Sequence, residues 1–221
     1  MTPLGGGLLA IGAVAGVVDW WAVWRESPAT RSLERIAKPA TLLALIVLAL
    51  VVPARTPGVQ PWLAAALVLG LIGDVLLLPP GRLAAGLVAF LLGHLAYLVA
   101  FLALPLAGWG AAAGVVAGLA MIGVVGGQIV RAARPSGLEV AACVYLTVIC
   151  VMAVAATATL MPALIVGAWL FVASDAMLGW GEFVAAGATA GRSRGGPGLR
   201  LGVIVTYHVA QALLAVGLLG A

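Results

Sequence analysis

The stretches WLAAALVLGLIGDVLLLPP (62–80) and MPALIVGAWLFVASDAMLGW (161–180) are so apolar that each reads as a membrane span, and each carries one carboxylate, Asp74 and Asp175. An ionisable side chain deep in a bilayer costs roughly 2.5–3.5 kcal/mol on insertion scales, so it faces a protein interior or a water cavity and marks a functional site. Two of them in one small chain point to one shared site.

The whole chain follows the same pattern. With 64% hydrophobic and 8% charged residues among 221, it is excluded from the soluble classes and reads as an all-α polytopic membrane protein. A span needs about 20 apolar residues, and eight fit, near 4–24, 38–54, 61–78, 83–104, 109–131, 138–159, 161–183 and 200–220. Residues 1–221 are expected to form a single integral membrane domain. The first span lacks a preceding basic region and a small-residue cleavage site, so it is read as a retained helix.

Arg and Lys collect in cytoplasmic loops. The connections after spans 1, 3, 5 and 7 hold Arg25, Arg31, Arg35, Lys38, Arg82, Arg131, Arg134, Arg192, Arg194 and Arg200, against Arg55 alone on the other side. Both termini are therefore expected on the non-cytoplasmic side. The net charge of +4 reflects this topology and attraction to anionic lipid, with no implication of nucleic-acid binding.

Orientation places the polar residues in depth. Asp74 lies about one turn and Asp175 about two turns before the inner ends of their spans. Lys38 and Glu139 fall at the inner boundary, Tyr145 and Tyr207 further in, and His94, Tyr97 and Gln211 near mid-depth. His94 with Tyr97 (i,i+3) and Tyr207 with Gln211 (i,i+4) each share a helix face. These groups converge on one layer in the cytoplasmic half, which predicts a site open to the inner leaflet or cytoplasm.

Other residues read as structure. Gly110, Gly114 and Gly118 form a small-residue packing stripe. Cys143 and Cys150 are too far apart on one helix for a mutual disulfide and are expected in the core. Asp19, before Trp20, Trp21 and Trp24, and Glu182, after Trp180, read as inner-interface residues in an aromatic belt. Glu139 complements a helix dipole, with lining of the cavity as a second reading. His208 flanks Tyr207 and is expected to point elsewhere. GATAGRSRGGPGLR (187–200) lacks the ending of a phosphate loop and reads as a flexible cytoplasmic loop. An offset of 101 residues relates Lys38 to Glu139, Pro61 to Pro162 and Asp74 to Asp175, which is compatible with a four-plus-four repeat, although bilayer thickness alone imposes similar hairpin lengths.

KPATLLALIVL (38–48), GLIGDVLLLPP (70–80), AFLLGHLAYLVAF (89–101), GAWLFVASDAMLGW (167–180) and TYHVAQALLAVG (206–217) together resemble, in order and spacing, the YhhN-type lysoplasmalogenases. These are eight-span membrane enzymes that cleave the vinyl-ether bond of lysoplasmalogens. The resemblance implies that Asp74 and Asp175 are the catalytic carboxylates, with Lys38, His94, Tyr97, Tyr207 and Gln211 around the pocket. It implies a lysophospholipid substrate among membrane lipids, a fatty aldehyde and glycerophosphoethanolamine or glycerophosphocholine as products, and a place in the bacterial cytoplasmic membrane. Glu139 and Tyr145 complete the candidate substrate-binding set by depth.

The chemistry needs an acid to protonate the vinyl carbon and an anion to meet the resulting oxocarbenium ion. Two carboxylates in different environments can divide these roles, as in glycoside hydrolysis. The sequence leaves the assignment open, with the greater depth of Asp175 favouring it as proton donor. Lys38, the single lysine, is read as a helix-start residue before Pro39 as the first helical residue. It is placed to hold the lipid phosphate or to snorkel. A hydrolase of this type is expected to need no metal or organic cofactor. A transporter using the same carboxylates as a proton relay is the alternative, although no aspartate-bearing span has the internal proline of a broken helix. A three-histidine zinc hydrolase is excluded, because His94 and His208 are the only histidines.

Overall fold

The computed structural model describes residues 3–79, 81–185 and 196–221. The described residues form eight long helical segments and no strand: α1 (Pro3–Arg25), α2 (Pro28–Val51), α3 (Val59–Leu77), α4 (Leu83–Leu102), α5 (Gly108–Ser136), α6 (Glu139–Ala158), α7 (Pro162–Ala185) and α8 (Pro197–Gly220). Seven of them are long and apolar enough to cross a bilayer. The exception is α2, whose first part carries Arg31, Glu34, Arg35 and Lys38.

That charged part corrects the sequence reading. Arg31, Arg35 and Lys38 were expected in a loop ahead of a helix starting at Pro39, but α2 begins at Pro28 and Pro39 lies inside it. The reason is local. Ser27 and Thr30 form a reciprocal capping box, with Thr30 N donating to Ser27 Oγ at 3.2 Å and Ser27 N donating to Thr30 Oγ1 at 2.9 Å. Pro28 supplies the preset first-turn φ. Glu34, Lys38 and Thr41 thereby stack at i,i+4 and i+3 intervals, with Lys38 aimed into the bundle instead of sitting at a helix end.

Successive helices pair as four hairpins, and α8 packs against α1, α2 and α3 as well as α7, so it runs through the centre of the polar residues. Small residues permit the closest approaches. A Cβ at Gly73 would lie 2.7 Å from the Phe90 ring, and one at Gly217 would lie 2.5 Å from Leu164, so α3–α4 and α7–α8 are held at glycine separation. The Gly110, Gly114 and Gly118 stripe does the same between α5 and α6, where a Cβ on Gly114 would lie 2.9 Å from Val154 Cα. Cys150 is buried under Gly118, but Cys143 is exposed nearer the start of α6, which corrects its expected place in the core. Two helices change pitch: α5 passes through a π-turn at Ile122–Gly126, and α7 ends in one at Trp180–Ala185. Of the 187–200 segment, residues 187–195 lie outside the described residues; from Pro197 the chain is helical.

Candidate functional site

α3 buries one face through Leu63, Leu67, Gly70 and Asp74, a helical i, i+4, i+7, i+11 series that carries the carboxylate into the bundle along with the apolar residues. Across from it, Lys38 Nζ on α2 lies 3.0 Å from Asp74 Oδ1, with the two side chains 16% and 1% exposed. This is an ion pair buried on the acid side and reachable on the amine side. The Tyr207 hydroxyl of α8 neighbours the same carboxylate without forming a geometrically complete hydrogen bond, and Asp74 Oδ2 has no partner among the described residues. Gln211, one turn after Tyr207, accepts a short hydrogen bond from the Tyr97 hydroxyl through Oε1, which leaves its Nε2 donor free among the described residues. Gly70 makes this packing possible, because a Cβ there would lie 2.9 Å from Gln211 Nε2 and 3.1 Å from Tyr207 Oη.

The second carboxylate has different surroundings. Asp175 of α7 accepts a short hydrogen bond from the Tyr145 hydroxyl of α6 through Oδ2, with His94 Nε2 of α4 at 3.6 Å from the same oxygen. The His94 ring stands edge-on to Tyr145 and Phe171, with centroids 5.4 and 4.7 Å apart, and both its nitrogens are buried without hydrogen-bond partners among the described residues. Phe171 joins the two halves, since its ring is also edge-on to Tyr207 at 5.4 Å. Beside Asp175, the Ser174 hydroxyl donates to Val203 O at 2.9 Å and fixes α7 against α8.

The structure thus brings Lys38, Asp74, Tyr207, Gln211 and Tyr97 into one network and Asp175, Tyr145 and His94 into another, with Phe171 between them. Glu139 is not joined to either. It stays at the start of α6 with one buried carboxylate oxygen unpartnered among the described residues.

Two clefts reach these networks from the end of the bundle that holds the last turns of α3 and α7 and the first turns of α4 and α8. The first, with about 130 Å³ of space, is polar in part and is lined by Glu34, Lys38, Glu182 and Arg200 among leucines. The second, about 30 Å³, is almost wholly apolar and ends on Tyr145 and Asp175, with Leu83, Leu87 and Phe183 in its walls. Leu178 and Glu182 on the α7 terminus line both, so the clefts meet there.

Several residues escaped the sequence reading. Asp19 is fully buried, not an interface residue, because it continues the inward stripe of Gly12 and Gly16 on α1. It faces His208, with Oδ2 3.9 Å from Nε2. The Trp20 indole N–H donates to His208 Nδ1 at 3.1 Å, so Nδ1 is the acceptor. In a neutral ring the remaining proton is then on Nε2, facing Asp19. His208 indeed turns away from Tyr207's network, toward α1. Trp21 and Trp24 are exposed on the outer face of α1. Phe171 carried no sequence signal, since an aromatic residue in an apolar span is ordinary packing.

The sequence model of the YhhN family matches residues 33–218, which is most of the chain and includes every residue of both networks. No curated protein and no solved structure matches the chain.

Proposed function

The chain belongs to the YhhN family, and we propose that it is a lysoplasmalogenase-like hydrolase that splits the vinyl-ether bond of a lysolipid into a fatty aldehyde and a glycerophospho-alcohol. The observation that carries this reading is the unlike environment of two buried carboxylates. Asp74 has a lysine at 3.0 Å and so acts as the anion. Asp175 has no lysine or arginine paired with it among the described residues, so it is the one of the two that acts as the acid, with the Tyr145 hydroxyl and the His94 ring orienting it. Opposed environments of this kind divide acid and base roles between like groups.

In this mechanism the Asp175 proton goes to the vinyl carbon β to the ether oxygen, and the double-bond electrons form that C–H bond. Positive charge then appears on the adjacent carbon and the ether oxygen. The rings of Phe171 and Tyr207, edge-on to each other at 5.4 Å, are the aromatic groups whose faces would favour such a cation. Asp74 takes a proton from water as its oxygen attacks the cationic carbon, giving a hemiacetal. The hemiacetal O–H proton passes to Asp175, the carbon–oxygen bond to glycerol breaks, and Asp74 returns its proton to the leaving oxygen. Both carboxylates end as they began. Tyr207, Gln211 and Tyr97 hold the oxygen side of the reaction, while Tyr145 and His94 keep Asp175 aligned. The concentration of cationic residues at the cleft end supports a cytoplasmic opening. The apolar cleft would then take the alkenyl chain next to the acid that must reach its carbon.

The test is aldehyde release by detergent-purified protein from a lysoplasmenyl lipid, beside the matching saturated ether. Aldehyde from the vinyl ether alone, lost in Asp74→Asn and in Asp175→Asn variants that still fold and unfold cooperatively, is the expected result. No aldehyde from folded protein overturns the reading.

A further inference from the structure

The polar cleft has a mouth whose charges are already paired with one another. Arg200, in the first turn of α8, places Nη1 2.8 Å from Glu26 Oε1, and its Nη2 lies 3.3 Å from both Glu34 carboxylate oxygens. Glu26 lies in the turn between α1 and α2 and Glu34 in the second turn of α2, so one guanidinium ties three elements together across the opening. These groups are 20–39% exposed, in contrast to the ion pair behind them. Pairs held in water are weak and exchange readily.

The other cation lining the cleft among the described residues, Lys38, is not available to a ligand phosphate, because it is committed to Asp74 at 3.0 Å. The planar guanidinium of Arg200 is the group that suits a phosphodiester, which it can bind through two parallel N–H donors. The lining also limits which phosphodiester fits. Among the described residues, Glu26, Glu34 and the buried Asp74 stand against Lys38 and Arg200, so these paired groups comprise more carboxylates than cations. A headgroup that brought only negative charge would displace the glutamates from Arg200 and leave them repelling it. A headgroup with a phosphate and an ammonium replaces both sides of the existing pairs.

We propose that Arg200, Glu26 and Glu34 form an exchangeable clamp that reads a zwitterionic lysolipid headgroup, with Arg200 taking the phosphodiester and the released glutamates taking the ammonium. This rests on the hydrolase reading for the identity of the lipid, but it concerns recognition, which can be measured without turnover. Arg200 and Glu34 are specificity-determining residues here and do not touch the reacting carbons. The shared Leu178–Glu182 boundary then puts the headgroup in the polar cleft and the chain in the apolar one, with the ether between Asp74 and Asp175.

The experiment measures binding to the full-length protein in detergent, by tryptophan fluorescence, of four saturated probes that cannot be cleaved as vinyl ethers. These are 1-O-alkylglycerophosphocholine, 1-O-alkylglycerol 3-phosphate, 1-O-alkylglycerol, and glycerophosphocholine without a chain. Wild-type protein is expected to bind the first at least tenfold more tightly than the other three. Arg200→Ala should remove that advantage and leave alkylglycerol binding unchanged, with Arg200→Lys intermediate. Glu34→Gln should narrow the gap between the zwitterionic and anionic lipids several-fold. Unfolding temperatures identify any variant that fails to fold, and Arg200→Lys, which keeps the charge, carries the test if Arg200→Ala fails. Equal weakening of the phosphate-bearing and neutral lipids, or no weakening of either, overturns the clamp. Binding of free glycerophosphocholine as tight as that of the lipid overturns its assignment to a lipid headgroup. If the clamp pattern holds but vinyl-ether lipids yield no aldehyde, the hydrolase reading fails while the binding site stands. Aldehyde release without the pattern gives the reverse.

Discussion

Replacing Lys38 by Met should damage the protein more than removing both members of its ion pair. The Asp74 side chain is 1% exposed and its second oxygen is unpartnered among the described residues, so Lys38 is the principal compensation for its charge. At 3.0 Å the direct attraction is about 5–6 kcal/mol at an effective dielectric near 20, most of it offset by the desolvation of both groups. Breaking such a pair from one side typically costs about 3–5 kcal/mol, whereas replacing both partners with neutral groups is often close to neutral. Asp74→Asn should cost less than Lys38→Met, about 1–3 kcal/mol, because the 16% exposed amine can reach water through the polar cleft. The Lys38→Met/Asp74→Asn double variant should fall within about 1 kcal/mol of wild type, giving a coupling of at least about 2 kcal/mol. For a chain of this size, Lys38→Met then lowers the unfolding temperature by about 6–20 °C, and the double variant largely restores it. Thermal unfolding in one detergent at fixed lipid content reads all four proteins. All three variants should lack aldehyde release, so recovery of stability without recovery of activity is the signature. Additive losses, or a double variant less stable than Lys38→Met, would refute the argument that Asp74 is held as a buried anion by Lys38.

Gly70→Ala should abolish most activity while leaving the fold intact, because its methyl would displace Gln211 Nε2 and Tyr207 Oη, both of which are side-chain ends that can move; aldehyde release and unfolding temperature measured together check this. Tyr145→Phe removes the donor to Asp175, and kcat should fall about 10²-fold or more, in line with the worth of a positioned acid, at a stability cost of about 1–3 kcal/mol. Gly114→Val should destabilise the protein by about 1–3 kcal/mol without changing the activity of the folded fraction, since it forces α5 away from the α6 backbone remote from both networks.

Asp74 and Asp175 were legible because a lone carboxylate in a long apolar run has few explanations, and helical spacing then drew His94, Tyr97, Tyr207 and Gln211 to the same interior. Asp19 has the same signature, but its tryptophan neighbours suggested a membrane interface. Its spacing from Gly12 and Gly16, which pointed inward, was the better guide. The start of α2 turned on two competing prolines. Pro39 before an apolar run suggested a helix start, yet the Ser27–Thr30 capping box upstream began the helix eleven residues earlier and turned Lys38 from a boundary residue into a buried partner of Asp74. Arg200 could not be paired with Glu26 and Glu34 from sequence, since the partners are 174 and 166 positions away and follow no period. The role of Phe171 as the wall between the two networks depends in the same way on how four helices pack, which residue spacing within one helix does not encode.

The central claim is acid-initiated hydrolysis by two buried aspartates, and the most direct measurement is the isotopic composition of the aldehyde formed from a lysoplasmenyl lipid in heavy water, trapped by immediate reduction. The mechanism delivers one solvent-derived proton to the carbon next to the carbonyl. Wild-type protein should therefore give aldehyde with one deuterium at that carbon, and Asp74→Asn and Asp175→Asn should give none of the product. Aldehyde without deuterium, or undiminished product from either variant, would contradict the account.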